Sequence, residues 1–130
     1  MKARAIGYWA STGILAAGLL NGGILGLTRS HMVVSVITHL GYPTYILTLL
    51  GVWKLLAVPA LLAPRLPRLK EWAYAGIIFE MTGAAASHAV CRDGIALFAP
   101  LVFVGLAVAS WGLRPQSRMC GIFRTAESTR

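Results

Sequence analysis

Charge is scarce in this sequence. Asp, Glu, Lys and Arg make up 12% of its 130 residues, against about 25% in an ordinary soluble domain. A soluble four-helix bundle needs a polar face on every helix. Stretches such as 46–62, where Lys54 is the only charge, exclude it. Cysteine is limited to Cys91 and Cys120. An apolar run separates them and assigns them to opposite faces of a membrane, so no intramolecular disulfide is expected. There is no Cys-x-x-Cys, which argues against thiol–disulfide chemistry within one subunit. P-loop, dinucleotide and serine-hydrolase fingerprints are missing. No His-x-x-x-His pair or carboxylate set at ligand spacing occurs, so neither a metal nor haem is assigned. No internal repeat is visible.

What is present is apolar. Such residues fill 57% of the chain, concentrated in four runs at 6–27, 45–63, 72–91 and 95–113. Each has 19 to 22 residues, and a helix needs roughly 20 to cross the hydrocarbon layer. The expected fold is therefore all-α: a transmembrane four-helix bundle in one domain over 1–113, followed by a basic cytoplasmic tail over 114–130. Met1-Lys-Ala-Arg before the first run resembles a secretory signal, but the run is long and lacks a small-x-small cleavage site. It reads as a retained helix.

The net charge of +8 is distributed as in a membrane protein. If the helices alternate, Lys2, Arg4, Arg65, Arg68, Lys70, Arg114, Arg118, Arg124 and Arg130 fall on one side, nine of the twelve basic residues. Arg29 and Arg92 fall on the other. Positive residues mark the cytoplasmic side, so both termini are expected there, with anionic lipid headgroups as neighbours. No nucleic-acid module accompanies the charge. Tyr8, Trp9, Trp72, Tyr74 and Trp111 at one level, and Tyr42 and Tyr45 at the other, match interfacial aromatic belts. Trp53 lies too deep for either.

Between the first two runs, 30–43 is too short and too polar to span. If helical, it sets His31, Ser35, Thr38 and His39 against Val33, Val36, Ile37 and Leu40, an amphipathic segment suited to the outer interface or to a lid over an outward-opening site. Gly41 and Pro43 stop it. Pro59 and Pro100 are expected to bend their helices, and Pro64 and Pro67 to end the second in a short basic loop. Gly18, Gly22 and Gly26 form a groove for close helix contact, within one subunit or across a homodimer.

Ionisable residues at membrane depth mark functional candidates. Lys54 lies nine residues from the outer start of its run and Glu80 eight from the inner start of its own. These counts give depths of roughly 13 and 12 Å from opposite faces, so the two are expected to pair. Gly76, Glu80, Gly83, Ala84, Ser87 and His88 share one face of the third run, where small residues permit tight contact or a cavity. With Asn21 from the first run and His39 from the interfacial segment, the candidate binding set is Lys54, Glu80, His88, Asn21, Ser87 and His39, lining an outward polar path. The plainer alternative is that the pair fixes helix register and the histidines are structural.

His39-Leu-Gly-Tyr-Pro43, Leu50-Gly-Val-Trp-Lys-Leu-Leu56, Pro59-Ala-Leu-Leu62, Lys70-Glu-Trp-Ala-Tyr-Ala-Gly76 and Gly83-Ala-x-x-Ser-His88 together resemble the DoxX-like four-helix membrane proteins, from about 13 to 113. Lys54 and His88 match that family's pattern. Its Gly-Asp after Ser-His appears here as Arg92-Asp93-Gly94. The wider group takes its name from a membrane subunit of a thiosulfate:quinone oxidoreductase. The resemblance thus implies a bacterial inner-membrane protein, with a quinone-linked redox or oxidative-stress system as the expected context. It carries over no catalytic residues. The rival expectations are a non-enzymatic binder or transporter of a small lipophilic molecule, and an assembly or scaffold subunit for a membrane partner.

Overall fold

The computed structural model describes residues 2–119. Among them the chain is all-α, with α1 (Lys2–Leu27), α2 (His31–His39), α3 (Tyr45–Leu62), α4 (Pro67–Val90), α5 (Phe98–Leu113) and a 3₁₀ turn at Gln116–Arg118. The four long helices alternate in direction. α1 packs against α3 and α5, α4 against α5, and α3 and α4 touch less extensively. One end of the bundle gathers Lys2, the α3–α4 loop and Arg114, and is termed the basic end. The other holds α2 and the α4–α5 turn, and is termed the α2 end.

Small residues set the helix spacing. A Cβ on Gly26 would lie 3.0 Å from the Leu47 carbonyl, and one on Gly51 would lie 3.1 Å from that of Gly23. The backbones of α1 and α3 therefore approach as closely as glycine permits. Gly18 receives the Phe103 ring of α5. The glycine stripe of α1 is filled by the chain's own helices. Leu15, Leu19, Leu61, Tyr74, Ile77, Met81 and Ala107 form the core.

Burial runs against the habit of a water-soluble protein. Phe79 is 75% exposed and Ile95 90%, while Lys70, Thr12 and Ser110 are completely buried and Arg114 nearly so. An apolar exterior, with polar side chains buried among the core, suits lipid contact. α1 and α3 are each long and apolar enough to cross a membrane. Of the four such helices expected, only these two reach that length and hydropathy among the described residues. α5 is apolar but has 16 residues, because Ile95–Leu97 belong to the preceding turn. α4 has 24, but Arg68, Lys70, Glu71 and Glu80 lower its hydropathy.

Two prolines behave differently from expectation. Pro67 occupies the first turn of α4, where its missing N–H costs nothing and its fixed φ favours entry. It starts a helix instead of ending one. Pro100 is the third residue of α5, again in a first turn, so no internal hydrogen bond is lost. Pro59 stands inside α3.

The basic end is closed by cations. α3 ends with the carbonyls of Ala60, Leu61, Leu62 and Ala63 short of helical partners, and Pro64 supplies no N–H. Lys70 Nζ donates to Ala60 O and Ala63 O. Arg118 Nη1 donates to Leu62 O at 3.2 Å and Leu61 O at 3.5 Å. Positive charge also complements the helix C-terminal dipole. Burial, and then Arg118, pull the Lys70 amine from 10.5 down to about 8. Arg114 pairs with Glu71 at 2.7 Å, and Trp111 Nε1 donates to the other Glu71 oxygen. The expected basic tail thus begins as a packed segment through Met119, which is buried. Its remainder, with Cys120, lies outside the described residues. Tyr8 and Tyr74 are buried, not members of an interfacial belt: Tyr74 OH is 2.7 Å from Ser110 Oγ, itself 2.5 Å from Thr12 Oγ1.

Candidate functional site

Lys54 and Glu80 meet at mid-bundle. Lys54 reaches across from α3 with its stem against Gly22, whose absent side chain leaves room: a Cβ there would sit 3.5 Å from Lys54 Cδ. The Nζ lies 2.6 Å from Glu80 Oε1 on α4. The two side chains are 19% and 17% exposed, so the pair is shielded but not sealed.

The opening beside it is a lateral groove. α3 and α4 diverge enough to leave a cavity of about 220 Å³, lined by Leu19, Trp53, Ala57, Trp72, Gly76 and Ile77 and reaching Lys54 and Glu80. Leu19 of α1 forms part of the wall. The rings of Trp53 and Trp72 are 55% and 75% exposed, one on each helix at the rim. Gly76 has nothing within 4 Å of where a Cβ would stand, which resolves the small-residue face of α4 at this height into a cavity. The groove is apolar along its length with an ion pair at one place. Such an arrangement can take a lipophilic body whose polar head accepts from the ammonium or donates to the carboxylate.

The other expected residues do not join the pair. His39, His88 and Ser87 gather at the α2 end. His39 Nε2 is 3.0 Å from both Asp93 oxygens, and His88 Nδ1 is 3.2 Å from Asp93 Oδ2. Ser87 Oγ donates to Gly83 O at 3.0 Å and receives the Tyr42 hydroxyl at 2.7 Å. Glu80 and His88 are two turns apart on α4, roughly 12 Å along the axis. Asn21 belongs to neither group. It is exposed on α1, and its side chain has no hydrogen-bond partner among the described residues.

Local structure explains how the α2 end forms. α2 stops in a Schellman turn, with Gly41 at φ 86° and bonds from Gly41 N to Thr38 O and Tyr42 N to Ile37 O. α4 stops in the same way, with Arg92 N bonded to Ala89 O and Asp93 N to His88 O. Here Arg92 holds the left-handed position at φ 59°, which favours glycine. The turn folds Asp93 back over His88, while Gly41 aims His39 at the same carboxylate. The hydrogen bonds from His39 and then His88 hold the Asp93 carboxyl below its usual range.

Asp93 is the residue that sequence reasoning missed. The available signal was the family's Gly-Asp after Ser-His, obscured because Arg92 occupies the glycine position. A second omission is the buried Thr12–Ser110–Tyr74 chain, whose members lie in apolar runs and carry no charge.

No curated protein and no solved structure matches the chain. A family model does, across most of the bundle. With two helices of membrane-crossing length and hydropathy, this is a membrane protein, and it belongs to the DoxX-like family, whose model matches residues 10–110.

Proposed function

We propose that the protein binds a small lipophilic molecule with a polar head in the groove between α3 and α4, the head seated against Lys54 and Glu80. The observation that carries this reading is the shielded ion pair at an otherwise apolar opening on the bundle's flank. A ligand dissolved in the bilayer reaches such a groove sideways, without crossing water. Flat quinone-type heads fit the chemistry: a carbonyl oxygen accepts from Lys54, a hydroxyl donates to Glu80, and Trp53 and Trp72 offer ring faces at the rim. In a quinone-linked redox system the pair would supply hydrogen bonds and exchange protons while a partner protein supplied electrons.

The placement of charge and the family support a setting for this site. All four long helices cross the membrane, with α5 extended by its preceding turn and the basic end on the cytoplasmic side. Both termini are then cytoplasmic, α2 lies in the outer interface, and the family context favours a bacterial inner membrane.

A soluble short-chain quinone titrated into the purified protein tests the proposal through quenching of tryptophan fluorescence. Saturable quenching is expected in the parent. Lys54→Met is expected to weaken binding at least ~tenfold, the loss of one charged hydrogen bond. Gly76→Leu, which fills the groove, is expected to abolish it with the helical signal intact. Equal quenching in all three proteins would refute the site. Scaffold function predicts a stable polypeptide partner and no saturable ligand.

A further inference from the structure

The α2 end gathers more donors than a latch needs. His39, Cys91 and Asp93 each offer a ligand atom, and these atoms all lie within 4.8 Å of one another. Four-coordinate zinc, with bonds of about 2.0–2.3 Å, sets its donors roughly 3.3–3.8 Å apart, so a small closure of the three encloses an ion. His88 Nδ1 already holds one oxygen of the same carboxylate. The group is compact in sequence, as His88-x-x-Cys91-x-Asp93, with His39 arriving from a distant helix.

We propose a zinc-class metal site here, with His39 Nε2, Cys91 Sγ and an Asp93 oxygen as ligands and His88 as the positioning residue on the second oxygen. Several features favour it. Nitrogen, thiolate and carboxylate donors form a mixed set that suits Zn²⁺. Deprotonated Cys91 and Asp93 balance the dication, so the loaded site is neutral beside an apolar layer. His39 is the last residue of α2, and Cys91 caps the C-terminus of α4. Two helix C-termini, whose dipoles favour a cation, therefore converge on it. The His88–carboxylate bond is the kind of outer contact that orients a ligand. Three protein ligands leave the fourth position to water.

Binding exchanges protons in a defined way. The Cys91 thiol gives up its proton to solvent, and neutral His39 carries its proton on Nδ1 while Nε2 meets the metal. No oxidant or reductant takes part. The consequence is mechanical as well as chemical, because the ion ties α2 to the α4–α5 turn.

Titration of Co²⁺ into the full-length protein carrying Cys120→Ser tests the proposal, since Cys91 is then the sole thiol. The expected result is a single saturating equivalent that develops visible d–d bands with a thiolate charge-transfer band in the near ultraviolet, displaced by Zn²⁺. Cys91→Ser is expected to remove the charge-transfer band. His88→Ala is expected to weaken binding ~10–100-fold, as for other outer contacts. His39→Gln is expected to weaken it further and, lying on an exposed surface helix, leaves the bundle folded. His31→Ala is expected to change nothing. No thiolate band in the parent, a band that survives Cys91→Ser, or unchanged affinity in His39→Gln would overturn the site.

Discussion

The two ends of the bundle are closed by different chemistry. At the basic end, a buried Lys70 and a half-buried Arg118 satisfy backbone carbonyls that the fold leaves open, covering the last four of α3. At the α2 end, the closing groups are two imidazoles on one carboxylate, and the His39 side chain is 58% exposed. The first arrangement is fixed by desolvation, because a buried polar group that loses its partner is costly. The second holds itself together through groups that water already reaches. Polar residues in an apolar bundle therefore serve two purposes, and burial distinguishes them. The Lys54–Glu80 pair lies between these extremes, shielded yet bordering an open groove.

This contrast predicts a ranked series of effects. Lys70→Met leaves the carbonyls of Ala60 and Ala63 without this donor and is expected to cost about 3 kcal/mol, measured by unfolding in detergent. Asp93→Asn, at the other end, is expected to leave the midpoint close to that of the parent. Similar losses in both would erase the distinction. Lys54→Met strands a shielded carboxylate and is expected to cost about 2 kcal/mol, less than the 3–5 of a sealed pair. Adding Glu80→Gln should recover most of that stability without restoring ligand binding, which separates the pair's structural share from its binding share. Arg92→Gly relieves a left-handed residue and is expected to gain about 1 kcal/mol, read from the same curves. It also recreates the family's Gly-Asp.

A further effect is one of pH. The folded-state pKa of Lys70, about 8, lies below its ordinary 10.5. Between those values the unfolded chain holds more protons, so stability is expected to rise with pH across that window. Below it, both states are protonated and the burial penalty is fully present. The neutral amine still has two N–H groups for Ala60 and Ala63, so the cap survives deprotonation. In Lys70→Met the rise should disappear.

Much of this was legible in the residues. The all-α fold followed from apolar runs at helical length, and the height match of Lys54 and Glu80 followed from counting residues from each run's start, because helical rise is constant. The amphipathic pattern of 30–43 anticipated α2. What escaped were features set by direction around a helix instead of position along it. Tyr8 and Tyr74 have the right depth for an interface but face inward, and Asn21 has the depth of the polar path but faces out. Pro67 and Pro100 break helices only beyond a first turn, and run boundaries do not say where a first turn lies. Asp93 was hidden because its approach to His39 and His88 depends on a left-handed turn at an arginine, a conformation its residue type does not advertise.

Whether the α3–α4 groove holds a ligand is read by mass spectrometry of the protein extracted gently from its native membrane, with absorption spectroscopy of the same sample. A stoichiometric lipophilic ligand is expected in the parent and is expected to be absent from Gly76→Leu and from the Lys54→Met/Glu80→Gln double variant, all three retaining their helical signal. Protein without ligand, or a ligand retained equally in all three, would contradict a ligand site there.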